Sequence, residues 1–591
     1  MSRTKHIAKP IPSMVFLMLA LSLAITLAGC GPTVEKGKKP SENWSRGINL
    51  GDTVGSIGLV VDSTDQSTHL IWPSDGEEGI YLQYQKLSEN AEIIGQQELD
   101  FPGSLRYPRL ILGENGVMHL LWSSRTSASE GWALWHTQLS NDGSTNMEPV
   151  RLSAADTDVV NYSLASDRYG GALVAWEQGS QGEMFLLHID PAGEIISGPH
   201  PFPNSGSSPT MRVDLADQIH LTWLGGNAFY YSQLPLAEPI PREGTPVTDV
   251  AVSSGNSLVG PELGLSDGWV YIIWSILNQT GLEAGTANTQ YVSFPMGAAQ
   301  RMNGRQINIL PDEEQPYTGY DGSYNFYQIS PPAQAAWESS SFILHPNAND
   351  AIPTKDFVAA LAAQQLMRVD QHLQIAAAVF RAGDFIGYSY GSKTEGISDN
   401  PVIYSDDAGD IYLAWREGYG GRNVYFAATA APVMATLDHL GSGDYIGAVL
   451  QGSIEGFVSI ALTPVIGFGW MLPGLIILGL WKLVRENESL TDWASWIPLI
   501  IAITFYEFVK FTTLPTIVTY VPFSAWLAIP LWLEPILKYG VPVLIIVIAA
   551  AVAVWVQVRV RTSTILFYVT FTLTDALLTL AIYGVNFLGV F

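Results

Sequence analysis

His69-Leu-Ile-Trp72 is the first of six copies of one short pattern, in which a histidine, tyrosine or leucine precedes two mostly apolar residues and a tryptophan. The tryptophans of the six copies are Trp72, Trp122, Trp176, Trp223, Trp274 and Trp415. The first five are spaced 50, 54, 47 and 51 residues apart. A period near 50 residues, with short β-prone runs in each repeat, is typical of the four-stranded blade of a β-propeller. The sequence therefore predicts an all-β propeller.

Other residues recur at fixed distances before these tryptophans. Aspartate stands nine residues before three of them, as Asp167, Asp214 and Asp406. Glycine stands six residues before four of them, as Gly116, Gly170, Gly268 and Gly409, and proline fourteen residues before three, as Pro108, Pro209 and Pro401. Because aspartate can hydrogen-bond the backbone of its own turn and glycine accepts positive φ, we predict an Asp/Gly turn that precedes each tryptophan strand. The tryptophan is expected to fill the space between neighbouring blades.

The number of blades follows less directly from the sequence. A gap of 141 residues separates Trp274 from Trp415. Asp370 to Phe380 fits one further unit without its tryptophan, and Trp337 marks a second, weaker one. We predict seven blades and leave six or eight open. Residues 296–360 are interpreted as an insertion or an irregular blade, of the kind that carries function on one face of a propeller.

These units resemble the Asp-box, or BNR, repeats of sialidase-like propellers, whose pattern is Ser-x-Asp-x-Gly-x-x-aromatic. Residues 405–412, from Ser405 to Tyr412, match the whole pattern, and Ser166 to Gly170 matches it loosely. The resemblance covers residues 60–430 and implies the propeller fold. In that family the Asp-box turns are structural and sit away from the catalytic face.

The resemblance also raises a hydrolase as an alternative function. Sialidases carry an arginine triad, the first member of which lies in a Phe/Tyr-Arg-Ile-Pro motif, together with a Tyr/Glu pair and an acid/base Asp. This chain has Leu105-Arg106-Tyr107-Pro108, which departs from the motif at two positions. No catalytic role is therefore carried over, and catalytic residues stay unknown. A carboxylate pair beneath an arginine cluster on one propeller face would favour a glycosidase-like hydrolase.

Charge is distributed unevenly along the chain. The whole chain holds 29 Lys+Arg and 55 Asp+Glu, a formal net charge of -26. Residues 31–440 account for 20 of the basic and 47 of the acidic residues. A soluble region this acidic disfavours nucleic acid as a partner.

Two patterns point weakly to metals. His69, His119 and His220 occupy equivalent repeat positions, where a ring of histidines would bind metal. Tyr271 and Tyr412 fill the same position elsewhere, so we prefer an amphipathic ring on a half-buried strand. A sparse calcium loop is the second pattern, formed by Asp406, Asp407 and Asp410, although the turn already explains two of the three. No cofactor is predicted.

The first residues resemble the signal peptide of a bacterial lipoprotein. A basic stretch is followed by an apolar run from Met14 to Leu27 and then by Leu27-Ala28-Gly29-Cys30, which matches a lipobox. Cys30 is the only cysteine and so forms no internal disulfide. We predict lipidation at Cys30 after removal of residues 1–29, with 30–45 as a flexible tether and the acidic region outside the cytoplasm.

Apolar runs of membrane length follow residue 439. The strongest candidates are residues 460–483, 493–512, 540–558 and 564–588. Residues 517–536 are a fifth span or a re-entrant segment, and 446–458 a further span or an interfacial helix. Basic residues at span ends, Lys482 with Arg485 and Arg559 with Arg561, favour a cytoplasmic location for both ends. Four spans satisfy this orientation, and five or six stay open.

Three charged residues fall inside the predicted spans. Glu507 and Lys510 are three residues apart on one helical face and can pair, and Asp575 lies in the last span. Intramembrane charge is costly, so a functional site and a structural ion pair are the two hypotheses.

The sequence thus predicts a lipid-anchored propeller, residues 46–438, joined to a membrane domain of four to six helices, residues 439–591, in the bacterial cell membrane. The leading function is a surface recognition module whose propeller binds a glycan, a peptide or a partner protein, while the membrane domain anchors it or relays binding. The alternatives are a glycosidase-like hydrolase and a component of a transport or assembly complex.

Overall fold

The computed structural model describes residues 44–588 with several gaps. The gaps are residues 78, 128, 156, 267, 279–286, 310–341, 344–356, 368–369, 393, 395, 407, 419–421, 439–441, 486–489, 491, 515, 524–531 and 561–562. The predicted signal peptide and tether, with Leu27, Ala28, Gly29 and Cys30, therefore lie outside the described residues, as do Trp337 and Asp407. The chain divides into two compact units, of which one holds nearly all of residues 35–439 and the other residues 440–591.

The first unit is a seven-bladed β-propeller, as predicted, and each blade is a four-stranded sheet within the described residues. Strand β1 (Ile48–Asp52) precedes the first complete blade. Blade 1 contains β2 (Gly58–Asp62), β3 (Ser67–Gly76), β4 (Gly79–Leu87) and β5 (Ile93–Leu99). Blade 2 contains β6 (Ser104–Leu112), β7 (Met118–Arg125), β8 (Ala133–Leu139) and β9 (Val150–Arg151), and blade 3 contains β10 (Val159–Ser166), β11 (Ala172–Gln178), β12 (Glu183–Ile189) and β13 (Ile195–Pro201).

The remaining blades continue in chain order. Blade 4 contains β14 (Ser207–Val213), β15 (Gln218–Gly225), β16 (Ala228–Pro235) and β17 (Thr245–Asp249). Blade 5 contains β18 (Asn256–Ser266), β19 (Trp269–Asn278), β20 (Ala287–Pro295) and β21 (Arg305–Gln306), and blade 6 contains β22 (Phe342–Ile343), β23 (Phe357–Met367), β24 (Asp370–Arg381) and β25 (Asp384–Tyr390). Blade 7 contains β26 (Ser398–Ser405), β27 (Ile411–Glu417) and β28 (Asn423–Ala428), completed by β1. The region predicted as an insertion, 296–360, thus holds strands of blades 5 and 6.

The two ends of the propeller close the ring by joining each other. Strand β1 pairs antiparallel with β28, with Ile48 opposite Phe426. Next to this strand pair, Arg46 donates from its backbone N–H to Asp438 and from Nε to the carbonyl of Leu437, both at 2.9 Å. Leu437 ends the short helix α1 (Ala431–Leu437). The closure therefore depends on residues almost 400 positions apart in the chain.

The repeat tryptophans lie between blades. All six are at most 3% exposed, and each belongs to a buried cluster shared with the preceding blade. Trp122 of blade 2, for example, stacks on Phe101 at the end of blade 1, with ring centroids 4.3 Å apart. At these six blade contacts the tryptophan buries a large aromatic surface, which stabilises the packing of neighbouring blades.

The turns before these strands are closed by the repeat aspartates. Asp167 Oδ1 accepts hydrogen bonds of 2.8 Å from the backbone N–H groups of Tyr169 and Gly171. Gly170 and Gly409 have φ of +91° and +88°, a region that glycine enters without steric cost. The spacing of Asp and Gly in the sequence therefore corresponds to a turn that needs both residue types.

The second unit is helical. It contains α2 (Ser442–Ala461), α3 (Thr463–Val484), a 3-10 turn (Trp493–Ser495), α4 (Trp496–Thr513), α5 (Thr516–Thr519), α6 (Glu534–Arg559) and α7 (Thr564–Leu588). Four helical segments of the described chain are long and apolar enough to span a membrane: Thr463–Val484, Trp493–Thr513, Glu534–Arg559 and Thr564–Gly584. These correspond to the four strongest predicted spans. Helix α7 packs against α2, α3, α4 and α6 and so forms the centre of this unit.

Candidate ligand site at the propeller channel

The first strands of several blades carry a β-bulge at the same place. In four blades the bulge contains an X-Pro pair, and the residue before the proline has positive φ. These residues are Tyr107 (φ 54°), Ser208 (φ 52°), Gly260 (φ 102°) and Asn400 (φ 51°). A bulge changes the direction of the side chains that follow it and is common beside binding sites. The recurring proline of the sequence therefore marks a β-bulge that sets the direction of the next side chain.

The residue after each proline occupies an equivalent position. Each pairs with the residue just before the repeat tryptophan: Arg109 with Leu121, Thr210 with Thr222, Glu262 with Ile273 and Val402 with Ala414. Two of the four positions are charged, with opposite signs. Arg212 lies two residues beyond Thr210 on β14, and side chains two apart on a strand share a face. Arg109, Arg212 and Glu262 were not singled out from the sequence, although the charged residue after a repeat proline was a usable signal.

These three charges interact across the central channel. Arg109, Glu262 and Arg212 are half-buried on β6, β18 and β14, the first strands of blades 2, 5 and 4. Burial raises the pKa of Glu262 to about 7, although the positive charges of Arg109 and Arg212 act to lower it. Blades 2 and 4 are not neighbours, so these groups influence one another across the ring of first strands. The channel therefore holds two guanidinium groups beside one carboxyl that titrates near neutrality.

Tyrosine and a further arginine extend this site towards blade 3. Arg109 lies over the ring of Tyr162 with its guanidinium carbon 5.9 Å from the centroid. The Tyr162 hydroxyl donates to the carbonyl of Tyr107, and burial raises the pKa of Tyr162, which keeps the phenol neutral. Arg106 donates from Nε to Ser123 Oγ and from Nη2 to the carbonyl of Val159, both at 3.1 Å. These bonds fix the arginine next to the bulge of β6.

A groove with a volume of about 1,080 Å³ lies on blade 2, with Arg125 and Trp135 in its lining. It is lined by the end of β5, the β7–β8 loop, the β8–β9 loop and the segment before β10. Trp132, in the β7–β8 loop, carries the guanidinium groups of Arg106 and Arg125 over its ring at 3.8 and 4.6 Å. Trp122 Nε1, buried at the groove, has no hydrogen-bond partner in the part of the chain that the structure describes. The groove thus combines aromatic surface with cationic and donor groups, the combination found in polar small-molecule sites.

The repeat histidines form separate hydrogen-bonded groups rather than a ring. His220 Nε2 lies 3.0 Å from Asp214 Oδ2, and its Nδ1 lies 2.6 Å from the Tyr231 hydroxyl. His69 is bound in the same way to Tyr84, and His119 to His136. All three repeat histidines are fully buried rather than half-buried, because each has hydrogen-bond partners for its ring nitrogens. Burial lowers the pKa of His69 to about 4 and that of His136 to about 3.

The weak calcium candidate is explained largely by the turn. Asp406 Oδ1 accepts from the backbone N–H of Asp410 at 2.9 Å, and its Oδ2 accepts from the Tyr412 hydroxyl at 3.0 Å. Asp407 lies outside the described residues. Within the described residues, no group of three His, Cys, Asp or Glu side chains is suited to hold a metal ion.

The three intramembrane charges come together in the second unit. Lys510 Nζ lies 2.6 Å from Glu507 Oε2 and 2.8 Å from Asp575 Oδ2. The sequence indicated the first pair through its spacing of three residues. The contact with Asp575 joins α4 to α7 and depends on how the helices pack.

Comparisons with known proteins show a similarity in fold only. No protein-family model matches the chain, and no curated protein matches it. Among solved structures, polysaccharide lyase Uly1 is 11% identical with a TM-score of 0.41, over 64% of this chain and 90% of the lyase. A mutant of Trypanosoma rangeli sialidase displaying trans-sialidase activity is 10% identical with a TM-score of 0.35, over 73% of this chain and 65% of the sialidase. The exo-β-1,3-galactanase 1,3Gal43A from Clostridium thermocellum is 9% identical with a TM-score of 0.29, over 64% of this chain and 96% of the galactanase.

Proposed function

We propose that this chain is a membrane-anchored surface recognition protein whose propeller binds an acidic glycan at the central channel and the neighbouring groove. The observation that carries the proposal is the placement of Arg109 and Arg212 in the channel of a domain that is otherwise strongly acidic. Half-buried guanidinium groups bind carboxylates through charge-assisted hydrogen bonds, which are stronger than bonds between neutral groups.

Glu262 supports an acidic ligand in a second way. A carboxyl group with a pKa of about 7 is largely protonated in mildly acidic conditions. In that state it is a hydrogen-bond donor, and it does not compete as a carboxylate with an acidic ligand for the positive charges of Arg109 and Arg212. Two arginines at this place would make no favourable charge interaction with a neutral or cationic ligand.

The groove on blade 2 supports a sugar as the body of the ligand. Sugar rings stack on aromatic side chains and satisfy their hydroxyl groups with polar neighbours. Trp135 supplies half-buried aromatic surface, and Arg125 supplies donors in the same groove. The groove volume of about 1,080 Å³ is sufficient for several sugar residues.

The test is binding of the purified full chain to an array of neutral and acidic oligosaccharides, the latter including sialylated and uronic-acid-containing sugars. We expect selective binding to acidic sugars, with a loss of about tenfold or more in Arg109→Gln and Arg212→Gln, the effect of removing one charge-assisted bond. Arg168→Gln is the matched control, because Arg168 lies in the turn between β10 and β11, at the other end of the strands. Equal binding by all three variants would contradict the channel site. A folded chain that binds none of the sugars would redirect the proposal to a peptide or partner protein.

A hydrolase is the second candidate, and one observation favours it. Glu262, with a pKa near 7, is suited to act as a general acid or base. Most glycosidases, however, need two carboxylates. Arg109 and Arg212 are the charged groups that act on Glu262 within the described residues, and no second carboxylate accompanies them there. Release of free sugar from the bound oligosaccharide, abolished by Glu262→Gln, would move this candidate to first place.

The proposed location is the outer face of the bacterial cell membrane. Lipidation at Cys30, before the propeller in the chain, and four spans in residues 463–584, after it, would hold the propeller near the bilayer. Anchoring of this kind raises the effective concentration of the propeller for ligands at the cell surface.

A further inference from the structure

The charged residues of α4 and α7 form one cluster, in which the acidic groups outnumber the basic ones. Lys510 Nζ contacts Glu507 Oε2 at 2.6 Å and Asp575 Oδ2 at 2.8 Å, and the Tyr506 hydroxyl donates to the same Asp575 oxygen at 2.7 Å. Lys510 is 2% exposed and Asp575 0% exposed. Two carboxylates thus share one ammonium group within the described residues. The cluster would carry one uncompensated negative charge if all three groups were ionised.

Such a charge is costly in a membrane, and two carboxyl groups have free acceptors. Asp575 Oδ1 and Glu507 Oε1 are buried and receive no hydrogen bond from any residue that the structure describes. An unpartnered, ionised oxygen in a low-dielectric environment is strongly unfavourable. The unpartnered oxygens of Glu507 and Asp575 therefore point to a positively charged ligand that the two carboxyl groups take up together.

The two carboxyl groups differ in how well they are stabilised. Asp575 Oδ2 accepts hydrogen bonds from both Tyr506 and Lys510. Within the described residues Glu507 has one polar contact, its ion pair with Lys510, and its side chain is 18% exposed. We propose that Glu507 and Asp575 form a proton-binding site in the membrane helices, with Glu507 as the group that takes up one exchangeable proton.

Proton uptake by this site balances its charge. A hydronium ion loses one O–H bond and becomes water, and a new O–H bond forms on a carboxylate oxygen of Glu507. The cluster then changes from one net negative charge to neutral. A single proton suffices, because Lys510 already compensates Asp575.

The titratable groups around Glu507 come from two helices. Tyr506 and Lys510 belong to its own helix α4, and Asp575 and Tyr568 come from α7. Helix α3 also packs against α4 and presents Trp470 to Tyr506, with ring centroids 6.5 Å apart. Lys482 of α3 is twelve residues further on, about 18 Å along the helix. The charge of the cluster is therefore set by the residues named here.

A polar stripe on α7 continues from this site through the interior of the bundle. Its members are at most 1% exposed and recur every three to four residues: Tyr568, Thr572, Asp575, Thr579 and Tyr583. Beyond Asp575 the stripe reaches α2 and the start of α3, where Ser459 Oγ, Thr463 Oγ1 and Tyr583 OH are buried without partners in the described chain. Gly584 lies against Ser459, where a Cβ would come within 2.8 Å of the serine Cβ. The unpartnered polar atoms of the described chain therefore extend from Asp575 towards one end of the bundle.

The first experiment is carbodiimide labelling of the full chain in lipid nanodiscs, with peptide mass spectrometry. Apolar carbodiimides react with protonated carboxyl groups in a membrane environment. We expect modification at Glu507 that decreases as the pH rises and disappears in Glu507→Gln, while Glu534→Gln, at the start of α6, leaves it unchanged. Absence of the label at every pH would overturn the proposal.

The second experiment separates this proposal from a structural ion pair. Glu507→Gln leaves Lys510 and Asp575 as a balanced pair, so the variant is expected to keep the melting temperature of the native chain and to lose part of the dependence of that temperature on pH. A purely structural pair predicts the reverse, a lower melting temperature in Glu507→Gln with an unchanged pH dependence. Lys510→Met, which leaves two carboxylates without an ammonium group, is expected to increase labelling and extend it to higher pH.

Discussion

Arg109 of blade 2 and Glu262 of blade 5 occupy the same position of the repeat, the first residue after the bulge proline of the first strand. Opposite charges on non-adjacent blades thereby face one channel. The repeat fixes the place of the side chain, and the residue type differs from blade to blade. A propeller can in this way vary its binding site without a change in its strands.

The pKa of Glu262 makes a prediction about ligand affinity. Below its pKa of about 7 the carboxyl is neutral, and above it the carboxylate competes with an acidic ligand for Arg109 and Arg212. We expect the affinity for acidic oligosaccharides to fall by about tenfold between roughly pH 6 and pH 8, the effect of a neighbouring charge worth one pKa unit. Titration calorimetry of the native chain and of Glu262→Gln measures this. Identical pH profiles of the two would place Glu262 outside the ligand site.

The buried histidines predict loss of stability in acid. Burial lowers the pKa values of His69, His119, His136 and His220 in the folded state. Below about pH 6.5 the unfolded chain binds protons that the folded chain does not. The free energy of unfolding therefore decreases as the pH is lowered, by up to about 2 kcal/mol per histidine at pH 5. The melting temperature of the full chain in detergent should decrease from pH 7.5 to pH 5, and less steeply in His69→Gln. A constant melting temperature over this range would contradict the prediction.

The Asp214 turn is expected to be important for stability. Asp214 Oδ1 accepts from the backbone N–H groups of Ala216 at 2.9 Å and Gln218 at 2.8 Å, and Oδ2 contacts buried His220. Asp214→Ala should destabilise the propeller by about 3 kcal/mol, because several buried donors lose their acceptor. Asp217→Asn, in the same turn but with a side chain that is 43% exposed, weakens a surface ion pair with Arg168 and should cost about 1 kcal/mol or less. Chemical unfolding of both variants makes the comparison, and equal losses would show that the turn carboxylate is dispensable.

Two tryptophans of the same domain should differ in what their removal changes. Trp176 lies between blades 2 and 3 and is 1% exposed, whereas Trp135 is half-buried and lines the groove. Trp176→Ala should cost about 3 to 5 kcal/mol through loss of buried surface and the cavity it leaves. Trp135→Ala should reduce oligosaccharide affinity, with a smaller effect on unfolding. A large loss of binding together with native stability in Trp176→Ala would contradict this assignment.

Lipidation of Cys30 is tested directly by metabolic labelling with a fatty-acid analogue. Cys30→Ala is expected to abolish the label and the corresponding mass shift, since the chain has one cysteine and the lipobox places the acyl group on it. The membrane spans should retain the variant in the membrane fraction. Unchanged labelling of Cys30→Ala would rule out this anchor.

Much of the fold was predictable because its signals are local. The six tryptophan motifs, the Asp/Gly turns and the four apolar helices each depend on residues within about one strand pair or one helix of each other. The seven blades followed from the spacing of these motifs, including the blade around Asp370 to Phe380 that lacks the tryptophan. The burial of His69, His119 and His220 was underestimated, because their partners Tyr84, His136 and Tyr231 lie on other strands and cannot be assigned from the repeat.

The sequence by itself determined the repeat unit, its turns, the composition of the acidic domain and the position of the membrane helices, all of which are set by short-range periodicity. The tertiary structure decided which residues meet. Closure of β1 on β28 forms the ring, and only within the ring do Arg109, Arg212 and Glu262 share a channel. Packing of α7 against α4 likewise adds Asp575 to the pair of Glu507 and Lys510. Electrostatic interaction depends on distance in space, which a linear chain does not specify until its distant segments have packed.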